Sequence, residues 1–154
     1  MRIDLLAVGR LGRAPEAALA LDYCARASAS GRALGVGPVE IVEIECRRPG
    51  KDAEAAALQP HLTPGHVIAC DEHGRAHTSR ALAAREARLR DDGVRRLVFV
   101  VGGADGLAPA VLEAADERLA FGPQTWPHAL VRVMLAEQVY RAVTILAGSP
   151  YHRD

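Results

Sequence analysis

Residues 97–101, Leu97-Val98-Phe99-Val100-Val101, are apolar at every position and run straight into Gly102-Gly103. A strand with one wet face alternates apolar and polar residues, so an unbroken run of this kind needs apolar cover on both sides. It predicts a central strand between two helical layers. Three further segments read as strands. Residues 3–8 form a first strand ending at Gly9, and residues 67–70 a compact one closing at Asp71. Residues 119–121 make a minimal one. Residues 39–44 alternate apolar and acidic side chains, which predicts a strand nearer an edge.

Helical stretches fall between these strands. One covers 15 to about 27, with Pro15 in its first turn. A basic loop enters a short helix within 47–60, which Pro60 is expected to end. Thr78-Ser79 opens a helix over 80–91 and Gly93 stops it. Residues 108–118 read as helical, and 128–147 as the last and longest helix. The alternation predicts a three-layer α/β fold with a mostly parallel sheet. No internal repeat or linker divides the chain, so a single domain over 1–154 is expected.

The 154 residues are 49% hydrophobic and 25% charged, enough for one core and too apolar for disorder. Lys+Arg and Asp+Glu both number 19, so the formal net charge is zero. Any nucleic-acid role must therefore rest on a local basic patch. Cys24, Cys46 and Cys70 are odd in number and lie far apart, which points to reduced thiols and not to a disulfide framework or a zinc site. The first ten residues carry too short an apolar run for a signal peptide, and no stretch reaches membrane-span length. A cytoplasmic protein without a membrane partner is expected.

Ligands of open α/β sheets bind outside the carboxyl ends of the strands. Three such ends are unusual here: CDEHG (70–74), VGGADG (101–106) and FGPQTWPHALVR (121–132). The paired glycines of the second allow close backbone approach, but the G-x-G-x-x-G spacing of dinucleotide sites is missing. In the third, two prolines frame Gln124, Thr125 and Trp126. A rigid loop before a helix presents N–H and C=O groups in a fixed array, suited to an amide-like edge such as adenine. A plain connector plugged by Trp126 is the other reading.

On the last helix, 100° per residue puts Glu137, Gln138, Arg141 and Thr144 on one face. Arg132 falls opposite, with Leu135, Ala136, Val139, Val143 and Leu146. An arginine centred on an apolar face must be ion-paired, snorkel to water or serve a site. The wide apolar surface of this helix also predicts a subunit interface. His73 and His77 have a metal-like spacing but no clear further ligands, so no metal is expected. At the end, Tyr151, His152 and Arg153 put an aromatic ring, an imidazole and a guanidinium side by side.

In this order the pieces resemble the ribosomal RNA large subunit methyltransferase H family, within the SPOUT superfamily of knotted methyltransferases. The likeness runs over essentially the whole chain: LLAVGR, GKDAEA and VVGGADGL, and most specifically WPHALVRVMLAEQVYRA and SPYHR. Cys70 stands where the family commonly has leucine, Ala104-Asp105 where it has Pro-Glu, and Ala129 where it has proline. The resemblance implies a homodimer, a C-terminal trefoil knot, and S-adenosyl-L-methionine as cofactor. It implies methylation of N3 of a pseudouridine in large-subunit rRNA on the assembled ribosome, with no DNA partner.

Carried over by motif, the cofactor pocket uses Cys70, Gly103, Gly122, Pro123, Gln124, Thr125, Trp126 and Pro127. Tyr151, His152 and Arg153 become the catalytic cluster, offering stacking, proton transfer and charge. His128 and Arg132 hold rRNA phosphate or the tail. A non-catalytic, ribosome-associated cofactor-binding module is the competing expectation.

Overall fold

A computed structural model describes residues 1–152. Five parallel strands form one sheet: β1 (Arg2–Val8), β2 (Val39–Ile44), β3 (His66–Ala76), β4 (Arg96–Val101) and β5 (Glu117–Ala120), in the order β2-β1-β4-β3-β5. The apolar run 97–101 is the middle strand, and the alternating run 39–44 is an edge. Period-two geometry splits the strand residues between two cores. Ile3, Leu5, Ala7, Leu97, Phe99, Val101 and Ile68 face one layer. Leu6, Val8, Val98, Val100, Val67 and Ala69 face the other.

The first layer consists of α1 (Pro15–Gly31), α3 (Ser79–Asp91) and α5 (His128–Leu146), and the second of α2 (Lys51–Leu62) and α4 (Pro109–Ala114). Thr78 caps α3, its Oγ1 accepting from the Ala81 N–H at 3.2 Å. Along α5, Leu135, Ala136, Val139 and Val143 are fully buried, as their spacing predicts. Thr144 departs from its expected polar face. It is 2% exposed, and its hydroxyl donates to the Arg141 carbonyl at 2.8 Å, which satisfies it inside the layer.

Helix α1 runs on to Gly31 and β5 covers Glu117–Ala120 in place of 119–121; three further departures have a local reason. Pro60 lies inside α2, because Leu58 and Leu62 are buried one turn apart and hold the helix past it. The stretch 108–118 is helical only to Ala114. Asp116 is drawn to β3 instead: its Oδ2 accepts from Val67 N at 2.7 Å, and its N–H donates to Val67 O at 2.9 Å. Strand β5 starts at the next residue. Finally, β3 does not close at Asp71 but resumes pairing after a bulge, since both Cys70 and Arg75 pair with Leu119. Among the described residues no helix is long and apolar enough to cross a membrane.

Candidate functional site

The carboxyl ends of β4 and β5 and the bulge of β3 open into one cavity of about 770 Å³. All three unusual segments line it. Cys70 to His73 lie at the bulge within β3, the turn from Val101 to Leu107 leaves β4, and Leu119 and Phe121 lead from β5 into the loop before α5. His128 and Val131 at the start of α5 and Lys51 at the start of α2 complete the wall. Of the eight residues expected to hold a cofactor, Cys70, Gly103, Gly122, Gln124, Thr125, Trp126 and Pro127 meet here; Pro123 does not reach the lining.

The turn after β4 depends on absent side chains. A Cβ on Gly102 would stand 2.7 Å from the backbone carbon of Gly106, so the chain folds back on itself only with glycine there. Gly103 and Gly106 close the turn as a small bridge, with Gly106 N–H donating to Gly103 O at 3.1 Å. Behind Gly103 lies Glu54 of α2, whose carboxylate would be 2.8 Å from a Cβ at that position. Before the structure, Glu54 was visible only as part of GKDAEA; its packing against a turn fifty residues away leaves no local sequence signal.

The loop 122–127 is held by its own chemistry. Gly122 has φ +104°, a left-handed conformation that favours glycine. The Trp126 indole N–H donates to Phe121 O at 3.3 Å while the ring remains 40% exposed. Trp126 is thus a side of the cavity and not its plug. Burial pushes the Cys70 thiol up to about 12, so it stays protonated and packs as an apolar group.

Arg132 is 2% exposed. Its guanidinium donates to the carbonyls of Val8 and Gly9 and to Glu43 Oε1 at 3.3 Å. Burial lowers its pKa and Glu43 partly offsets this. Of the alternatives for an arginine on an apolar face, the structure has the ion pair. Its partners lie at the ends of β1 and β2, and it does not line the cavity. His128, by contrast, borders the cavity.

The tail folds against the flank of α5. Tyr151 donates from its hydroxyl to Glu137 Oε1 at 3.1 Å, stacks on Tyr140 with centroids 4.7 Å apart, and lies under Arg141. Arg141 Nη1 is 3.4 Å from His152 Nδ1. Burial, with help from Tyr23 and Glu137, pushes the Tyr151 phenol up to about 12. Arg153 lies outside the described residues. Neither Tyr151 nor His152 lines the cavity. Glu137 is nine positions beyond His128, or about 14 Å along the helix. Among the described residues, Tyr151 and His152 of the expected catalytic cluster stand apart from the cavity lining.

A sequence profile for the family described as predicted SPOUT methyltransferases matches residues 1–152. The chain is 71% identical over 154 residues to ribosomal RNA large subunit methyltransferase H of Caulobacter sp. (strain K31), covering 100% of both. It is 52% identical over 155 residues to the protein of that name from Ruegeria pomeroyi, covering 99% of both. Among solved structures, a probable methyltransferase from Bordetella pertussis Tohama I superposes with a TM-score of 0.55 at 16% identity, over 92% of this chain and 96% of that one. A probable methylase family protein from Haemophilus influenzae Rd KW20 gives 0.52 at 12% identity, over 99% and 70%. These two show the fold.

Proposed function

The chain belongs to the SPOUT methyltransferases, among the ribosomal RNA large subunit methyltransferase H proteins, and we propose that it transfers a methyl group from S-adenosyl-L-methionine to large-subunit rRNA. The specific reading is methylation of a pseudouridine at N3, on the assembled 70S ribosome, by a single-domain cytoplasmic enzyme. The observation that carries it is the convergence on one cavity of three segments far apart in the chain, the β3 bulge, the turn after β4 and the loop before α5. The cavity volume is within the range of small-molecule sites, roughly 300–1,000 Å³.

The residues present fit the cofactor. The turn lines the cavity with backbone bare of side chains at Gly102, Gly103 and Gly106, and the proline-framed loop 122–127 offers backbone N–H and C=O groups to an adenine edge. When bound, the cofactor supplies an electrophilic methyl group on a sulfonium. Cys70 gives apolar packing, and with its thiol pushed up to about 12 it does not compete as a nucleophile. Positioning accounts for most of the rate of such a transfer.

The acceptor N3 carries a proton that must leave before its lone pair attacks. His152 is suited to take it and Arg153 to stabilise the anionic ring. Tyr151 keeps its own proton at neutral pH, so its part is stacking and hydrogen bonding. His128 is assigned to rRNA phosphate at the cavity rim. Arg132 is a clamp in this reading and not an RNA contact.

That Tyr151 and His152 rest on the Glu137–Arg141 flank of α5 and do not line the cavity favours a homodimer in which one copy's tail completes its partner's site. Exposed Leu19 (46%) and Leu21 (58%) of α1, with Trp126 and Leu130 (39%) at the start of α5, supply apolar surface for the seam. The trefoil knot belongs to the same reading. Incubating the purified protein with labelled S-adenosylmethionine and either 70S ribosomes, separated subunits or free rRNA tests it. Label on large-subunit rRNA from 70S ribosomes is expected, and no label on any substrate refutes it.

A further inference from the structure

With a formal net charge of zero, the protein has no global attraction to RNA, yet its charges are not evenly mixed. Two loops leave neighbouring strands side by side: 9–14 after β1 and 45–50 after β2, joined where Gly9 N–H donates to Ile44 O at 2.9 Å. Together with Lys51 they carry five cations: Arg10, Arg13, Arg47, Arg48 and Lys51. The nearby carboxylates are engaged elsewhere. Glu43 accepts from Leu11 N–H at 2.9 Å and from buried Arg132, and Glu45 pairs with Arg10 at 2.5 Å. Glu54 lies against Gly103. Among the described residues of this region, Asp52 and Glu16 make no ion pair.

Arg13, Arg47, Arg48 and Lys51 are all exposed and make no ion pair among the described residues. The same bonds that use up Glu43 and Glu45 tie the two loops to each other and to α5, so the free cations stand on a fixed platform. Residues 48–53 also enclose an open hollow of about 480 Å³, and Lys51 borders both it and the main cavity. Elsewhere the lining of the main cavity is acidic, with Asp71, Glu72 and Asp105 on β3 and the turn after β4. An approaching polyanion is therefore drawn to one side only.

We propose that loops 9–14 and 45–50, through Arg13, Arg47, Arg48 and Lys51, form a phosphate-binding shelf that guides the ribosomal RNA backbone to the cavity. This rests on the rRNA reading above and assigns its docking side.

The test compares wild type with the double variant R47A/R48A, two exposed loop residues outside the cavity lining, and with R13A. Circular dichroism and calorimetric titration of S-adenosylmethionine verify an unaltered fold and cofactor site. Binding to purified 70S ribosomes and to free large-subunit rRNA is then measured across a potassium chloride series. Each phosphate contact adds about 0.7–0.9 to the slope of log K against log salt, so the double variant should lower it by roughly 1.4–1.8. Its affinity at 0.1 M salt should fall on the order of 30-fold. R13A should lower the slope by about half as much.

Unchanged slopes overturn the shelf, as does a wild type without salt-dependent binding. A loss on ribosomes with none on free RNA assigns the loops to a ribosomal protein and also overturns it. Failure of the parent reading looks different: no methyl transfer, whatever the slopes.

Discussion

Arg132 donates from Nη1 to the carbonyl oxygen of Gly9 at 3.0 Å, tying the last helix to the end of the first strand across 123 positions of chain. A second bond from the same guanidinium reaches Val8 O, and Glu43 of β2 supplies the countercharge. Two backbone carbonyls and a carboxylate lose their donor if the arginine goes. Arg132→Ala should cost about 2–4 kcal/mol, or roughly 5–15 °C in Tm, and Arg132→Lys should recover only part of it. Thermal unfolding followed by circular dichroism checks this. A loss under 1 °C would mean that water replaces the guanidinium freely.

Glu86 of α3 is 0% exposed, and both its carboxylate oxygens lack a partner among the described residues. Burial raises its pKa well above the usual carboxylate value. A folded pKa above the unfolded one means that the folded chain holds the proton more tightly. This contribution is therefore fully present below the unfolded pKa and is lost as pH rises through the folded one, at about 1.4 kcal/mol per pH unit. Glu86→Gln should remove that dependence: the variant gains in Tm on wild type as pH rises above 5 and gains nothing near pH 4. Parallel Tm-versus-pH curves would show that Glu86 is paired in solution.

Gly102 tests the cavity. Alanine there meets the Gly106 backbone at 2.7 Å, and backbone cannot swing aside as a side chain can. Gly102→Ala should displace the turn, weaken S-adenosylmethionine binding by more than tenfold in calorimetric titration, and cost about 1–3 kcal/mol of stability. An unaltered affinity would remove this turn from the cofactor site.

The tail can be tested apart from the cavity. Deleting residues 151–154 should abolish methyl transfer while leaving cofactor binding within about threefold, because neither Tyr151 nor His152 lines the pocket. Tyr151→Phe loses the hydroxyl's bonds to Glu137 and Tyr23, each worth about 0.5–1.5 kcal/mol. Its phenol, pushed up to about 12, does not titrate near neutrality. The pH profile of transfer should therefore keep its shape in this variant, and a shifted profile would make Tyr151 a proton carrier.

What the sequence disclosed follows from the range of the forces involved. Residues 97–101 announce a central strand because burial on both faces is written into every position, and 39–44 announce an edge by alternation. The three chemical segments were legible as strand ends, since glycine and proline punctuate backbone locally. That they share one cavity required the strand order. The bulge in β3 depends on its pairing with Leu119, and the partners of Arg132 are carbonyls that carry no side-chain identity. The distance from tail to pocket was likewise hidden, because SPYHR names residue types and not the Glu137–Arg141 flank on which they rest.

The most direct measurement of the central claim is mass mapping of large-subunit rRNA from cells lacking the gene, beside the parent and a complemented strain. The account predicts one pseudouridine lighter by a single methyl group in the deletion, restored by the wild-type gene and not by one truncated after residue 150. An rRNA mass map identical in all strains would contradict it.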